Sequence, residues 1–161
     1  MELEEEEVIE SYEEESATLD VDLQKWCEKH SLPFEVVDID KLESSLSNLK
    51  KHTFIFTGNE KNAYNNGYTN HWLFLYGNKI FDSYGLQDSY NLPKSLGFVK
   101  NKPARLQAYN SNICGQYCCV FYKFLNENKG ISCAGSQFCA EYGFTYNSGK
   151  NNSIILQEFE N

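Results

Sequence analysis

The chain has 161 residues, 14 Lys+Arg against 23 Asp+Glu and a formal charge of −9, a length that fits one domain better than two. Hydrophobic residues at 41% and aromatics at 15% can bury a sizeable interior, which excludes wholesale disorder and a collagen-like chain. The longest apolar runs, such as Trp72–Tyr76 and Ile154–Leu156, fall far short of the roughly 18–20 residues of a bilayer span, and the acidic start is unlike a signal peptide's basic n-region.

These features predict a soluble, unsecreted, intracellular protein without membrane partners. Glu2, Glu4 to Glu7, Glu10 and Glu13 to Glu15 place nine glutamates within the first 15 residues. Residues 1–16 read as a self-repelling acidic appendage, a solvated tail or a cover for a basic stretch, ahead of a single domain over 17–161. Without that block 14 acids face 14 bases, so the domain is formally neutral. Within it Lys79, Lys94, Lys100, Lys102 and Arg105 oppose only Asp82 and Asp88 over residues 79–105, which leaves an anionic partner, nucleic acid included, open.

From Thr18 the character changes. Asp20 or Asp22 can cap a helix through Leu23, Trp26 and Cys27 to about His30, ended by Ser31-Leu32-Pro33. Phe34–Val37 reads as a short extended run, and Leu42, Leu46 and Leu49 lie at helical spacing after Asp40-Lys41. Thr53–Thr57 predicts a strand and Asn59–Asn70 a loop. His71–Tyr76 and Lys79–Tyr84 flank Gly77-Asn78, a two-residue hairpin signal. Residues 86–103 connect; Ala104–Tyr109 predicts a further strand. Gly115–Asn128 carries Tyr117, Val120, Phe121, Phe124 and Leu125 at helical spacing, stopped by Gly130, and is the clearest helix. Ile154-Ile155-Leu156 predicts another strand or a docking segment. The fold class expected is α+β, an antiparallel sheet packed against helices.

Six cysteines, Cys27, Cys114, Cys118, Cys119, Cys133 and Cys139, sit in a chain with no signal peptide, which favours reduced thiols over disulfides. The spacings C-x3-C-C and C-x5-C match no zinc ribbon or finger, and Cys118 and Cys119 point in different directions on a helix.

The hairpin register carries chemistry. With Gly77-Asn78 as the turn, Leu73 faces Asp82 and His71 faces Tyr84, so His71 and Asp82 emerge on one face as diagonal neighbours about 7–8 Å apart at the backbone. An Asp bonded to one imidazole nitrogen fixes the tautomer and leaves the other nitrogen for a thiol. The ordinary alternative is a surface His and a turn-proximal Asp that merely share a face. Cys114 starts the strongest helix, where the dipole and unpaired amides favour thiolate; the alternative is a small buried hydrophobe. Gln107, seven residues upstream, is placed to join the Cys114 backbone N–H in an oxyanion hole.

His71-Trp72, then Phe81-Asp82-Ser83-Tyr84-Gly85, then Gln107-x-x-Asn110-Ser111-x-x-Cys114-Gly115-x-Tyr117-Cys118-x-x-Phe121 resembles the adenain family, the adenovirus maturation proteases, which are related to the SUMO-type proteases of ubiquitin-like modifiers. The resemblance runs from about His71 to Phe124, roughly a third of the chain. It implies a papain-like, adenain-like cysteine protease fold, with Cys114 as nucleophile, His71 as general base, Asp82 as the acid that orients it, Gln107 as oxyanion donor and Trp72 beside the site as a substrate-binding residue. It implies a monomeric endopeptidase that cuts viral precursor proteins at glycine-containing sites during virion maturation, in the host nucleus or cytoplasm or in the virion. No cofactor or metal is required for the chemistry; an activating peptide or nucleic acid is implied by the family. Asp82 stands where adenain has Glu, and no cysteine here matches the one that links adenain's activating peptide. Three alternatives stay open: a deconjugating protease for ubiquitin or a ubiquitin-like modifier, a Cys-His-Asp acetyltransferase, and a zinc-binding interaction domain without catalysis.

Overall fold

The hairpin forms where the Gly77-Asn78 signal puts it. In the computed structural model, β3 (Trp72–Tyr76) and β4 (Lys79–Phe81) pair antiparallel with Phe74 opposite Phe81, Leu75 opposite Ile80 and Tyr76 opposite Lys79. Gly77 takes the left-handed turn conformation at φ 61° that a side chain would strain. The structure describes residues 20–49, 52–57, 71–85, 92–109 and 111–161. The glutamate block, the predicted loop Asn59–Asn70 and residues 86–91 of the predicted connection lie outside these.

Around the hairpin runs a five-stranded sheet in the order β1-β2-β3-β4-β5, adding β1 (Val36–Asp38), β2 (His52–Phe56) and β5 (Gly97–Phe98). The sheet is mixed, which corrects the expected antiparallel one. β2 and β3 are antiparallel, but β1 runs parallel to β2 and β4 parallel to β5. A parallel partner needs a crossover of a dozen or more residues. Residues 39–51 and 82–96 supply the two crossovers.

The predicted second helix divides into a 3-10 turn (Ile39–Lys41), one α-helical turn, α2 (Leu42–Ser45), and a second 3-10 turn (Leu46–Asn48). Before β1 lies α1 (Asp20–Lys29), with Leu23, Trp26 and Cys27 on its buried face. The C-terminal third is helical: α3 (Cys114–Glu127), α4 (Ala134–Tyr142) and α5 (Ser148–Glu160).

Two faces of the sheet are covered, so its central strands read as near-continuous apolar runs. Phe54, Trp72, Phe74 and Phe81 face the helices, and Ile55, Leu73, Leu75 and Ile80 face Val37, Ile39 and Leu42. α3 is the central helix, buried on nearly every side as an all-round apolar helix must be. Phe121 stacks on Phe81 at 4.3 Å and meets Phe138 of α4 at 5.1 Å. Each such ring buries enough apolar area to contribute about 1.5–3 kcal/mol.

Two predicted strands are absent. Ile154-Ile155-Leu156 belongs to α5, whose first turn is capped by Asn147 accepting from the Lys150 N–H at 3.1 Å. A three-residue apolar run does not separate helix from strand; here Ile155 is buried and Phe159, four residues on, stacks on Trp26. Ala104–Tyr109 is irregular. The N–H groups of Leu106 and Gln107 both donate to Ser83 O, at 2.8 and 3.0 Å, and Leu106 O accepts from Tyr117 Oη and Asn151 Nδ2, each at 3.2 Å. Side chains and one loop carbonyl satisfy this backbone in place of a ladder.

Candidate active site

His71 stands just before β3 and Asp82 just after β4, one at each open end of the hairpin. Both lie beyond the paired residues of the hairpin, which run from Phe74–Phe81 to Tyr76–Lys79, and their side chains meet there: His71 Nε2 lies 2.8 Å from Asp82 Oδ1. Both are buried, His71 at 1% exposure and Asp82 at 4%. Asp82 Oδ1 also accepts the Tyr84 backbone N–H at 2.9 Å, which fixes the carboxylate before it meets the ring. The Tyr84 ring stacks on the imidazole at 4.6 Å. With Nε2 committed to Asp82, Nδ1 is left for the Cys114 thiol.

Cys114 is the first residue of α3, so its Sγ sits at the positive end of the most buried helix. The first helical hydrogen bond of that helix is Tyr117 N–H to Ile113 O, 3.1 Å. The amides of the turn ahead of it have no helical acceptor. Sγ also accepts the backbone N–H of Trp72 at 3.2 Å, and the Cys118 thiol, one turn on, donates to Trp72 O at 3.6 Å. The two thiols therefore brace the residue next to His71.

Electrostatics follow from the burial. Desolvation alone pushes the His71 imidazole down; Cys114 and Asp82 oppose it by charge and hydrogen bond and raise it from 6.5 to about 10. Both neighbours thus favour the imidazolium over the neutral ring. Burial keeps other thiols protonated: Cys27 is pushed up to about 12, and Cys118 and Cys119 well above the ordinary thiol value. All six cysteines are free thiols, with Cys133 exposed and the others buried.

Gln107 is brought to the same loop but faces inward. It is fully buried; its Oε1 accepts from Ser83 Oγ at 2.6 Å, and its Nε2 is within 3.0 Å of Ser111 O, 3.1 Å of Ser111 Oγ and 3.3 Å of Tyr84 Oη. Two N–H hydrogens thus serve three acceptors. Tyr84 Oη donates in turn to Ser111 O at 2.7 Å. This network joins the loop carrying Asp82 to the loop that leads into Cys114. Trp72, expected to touch substrate, has its indole buried against Phe56 at 4.9 Å and Phe54 at 6.4 Å; its backbone is what reaches the thiol.

Sequence reasoning missed three supports. Tyr84 was legible as the residue opposite His71, but its double role on Asp82 and Ser111 was not. Ser111 belongs to the motif that carries the resemblance, but its bonds to Gln107 and Tyr84 leave no local signal. Asn152 accepts from Tyr117 Oη at 2.7 Å and from the Ala108 N–H at 3.4 Å, which anchors the Gln107 segment to α5 from far along the chain.

Among the described residues no group of three or more His, Cys, Asp or Glu is placed to hold a metal ion, and no helix is long and apolar enough to cross a membrane. No family model matches the chain, and no curated protein and no solved structure matches it either. What defines the site is its geometry: a buried imidazole between a carboxylate and a helix-borne thiol, an arrangement suited to acyl transfer.

Proposed function

We propose that this protein is an adenain-like cysteine protease with a papain-like fold, which cuts protein substrates at glycine-containing sites in the maturation of viral precursors. The observation that carries the reading is His71, bonded to Asp82 at 2.8 Å and raised to about 10 by Asp82 together with Cys114. A structural histidine needs no thiol at a helix start on its other side. Cysteine hydrolases need that combination, because the imidazolium stabilises the thiolate and then delivers its proton.

In the reaction the Cys114 Sγ attacks the scissile carbonyl carbon, and the C=O electron pair moves onto oxygen. The Cys114 amide stabilises that oxyanion. Gln107 adds a second donor by exchanging one of its contacts on Ser111 for the oxyanion. Collapse breaks the C–N bond, and the His71 proton goes to the leaving amine. Water then attacks the thioester, gives a proton to His71 and releases the carboxylic acid with the thiolate restored. Glycine near the bond suits a thiol in so closed a setting, since Cys114 is 3% exposed.

Deconjugation of a ubiquitin-like modifier uses the same chemistry, and the aspartate at position 82 favours it, because aspartate is common in the modifier proteases that this chain resembles. A panel of internally quenched glycine-containing peptides and modifier–fluorophore conjugates, incubated with wild type and Cys114→Ala, separates the two. Thiol-dependent cleavage of the peptides supports the endopeptidase; cleavage of conjugates alone supports deconjugation. Turnover equal in wild type and Cys114→Ala contradicts both.

A further inference from the structure

Beside Asp82 the chain carries a run of basic side chains. From residue 89 to residue 126 the sequence contains no acidic residue, while Lys94, Lys100, Lys102 and Arg105 fall in its first half. The three lysines are exposed, and no acidic side chain among the described residues pairs with any of the four. Arg105 lies over the exposed Tyr109 ring at 4.0 Å.

This basic segment is folded back along the catalytic hairpin. Gly85 approaches it so closely that an added Cβ would stand 2.6 Å from Ala104 O. A cavity of about 440 Å³ opens there, with Asp82, Gly85, Phe98, Lys100, Asn101 and Lys102 in its lining. Asn101 is 8% exposed and its Oδ1 has no hydrogen-bond partner among the described residues. An unpaired buried acceptor is costly and marks a place where a donor is missing. The cavity thus combines cations, an apolar wall and one acceptor awaiting an N–H, and its one carboxylate, Asp82, is engaged by His71 and the Tyr84 N–H. A polypeptide rich in carboxylates complements the cations through its side chains and the acceptor through its backbone.

We propose that this cavity receives an acidic stretch of polypeptide, and that the occupant is the chain's own glutamate block, Glu2 to Glu15. Backbone N–H groups of the block answer Asn101, and its carboxylates answer Lys100 and Lys102. Nine glutamates lie in that block, the one concentration of negative charge the chain has. Reach is ample: 19 residues precede α1, about 60 Å when extended, against a radius of gyration of about 15 Å for a domain of this size. Tethering makes the contact intramolecular, so weak individual pairs suffice. The block would lie beside the carboxylate that orients His71. The inference does not depend on the thiol chemistry, and its test reads no catalysis.

The test is zero-length carbodiimide coupling of the full chain at low ionic strength, followed by mass mapping of the monomer band. The expected result is amide cross-links from the block to Lys100 and Lys102 in excess of those to the exposed Lys41 and Lys150. They are lost at about 1 M salt, where the Debye length is near 3 Å, and in the single variant Lys100→Glu the cross-links to Lys102, whose amine is retained, fall at least several-fold. Equal coupling to Lys41 and Lys150, or cross-links confined to a dimer band, would overturn the proposal.

Discussion

The backbone N–H of Trp72 donates to Cys114 Sγ across 3.2 Å, so the residue that follows the candidate base is tied directly to the candidate nucleophile. The bond comes from the main chain and survives any change of side chain at position 72. The indole, in contrast, is packed on Phe54 and Phe56. Trp72→Phe is therefore expected to lower the melting temperature, as a large-to-smaller core change does, while leaving KM unchanged. A thermal melt beside a Michaelis curve checks both; a raised KM at unchanged stability would return the indole to the substrate.

Asp82→Asn removes the charge of one of the two partners that raise His71. The sign is fixed by the direction of the shift. Because the folded value, about 10, exceeds the ordinary 6.5, the stabilisation is fully present below pH 6.5 and is lost as pH rises through 10. The stability gap between wild type and Asp82→Asn should thus be wide near pH 6.5 and narrow toward pH 10. Urea titrations at several pH values measure it. The alkaline limb of the rate profile should move down in the variant.

Gln107→Ala deletes a side chain with two functions. As an oxyanion donor its loss costs about 10²–10³ in kcat. As the partner of Ser83, Tyr84 and Ser111 its loss leaves buried groups unpaired, about 1–3 kcal/mol. Alkylation of Cys114 separates these roles: a slow acylation step with unchanged alkylation identifies the donor, whereas a parallel fall in both identifies a purely positioning residue.

Gly85→Ala meets two obstacles, a φ of 69° and a Cβ placed 2.6 Å from Ala104 O. A left-handed alanine alone costs about 1 kcal/mol or more, and the clash displaces the segment that carries Gln107. Lower stability and lower kcat are expected together, measured by denaturant unfolding and turnover; an unaffected melting temperature would mean that Ala104 can retreat freely.

Local patterns made much of this site legible. The Gly77-Asn78 turn sets the register, the hairpin brings His71 and Asp82 together at its open end, and the apolar spacing after Gly115 marks α3. What stayed hidden depends on partners distant in sequence. Ala104–Tyr109 has the composition of a strand, but its carbonyls and amides are taken by Ser83, Tyr117, Asn151 and Asn152, none of which announces itself locally. β5 is two residues long, and α5 buries two asparagines where an apolar stripe would have advertised a helix. The inward turn of the Gln107 amide has the same origin: only the fold brings Ser111 and Tyr84 to it.

The central claim is that Cys114 is a nucleophile held by His71. Timed alkylation with iodoacetamide near neutral pH, with each cysteine followed by peptide mapping, tests it most directly. Cys114 should be modified ahead of the exposed Cys133 despite its burial, and His71→Ala should slow Cys114 while leaving Cys133 unchanged. Rapid modification of Cys133 or Cys27 with Cys114 inert, or a Cys114 rate indifferent to His71→Ala, would contradict the account.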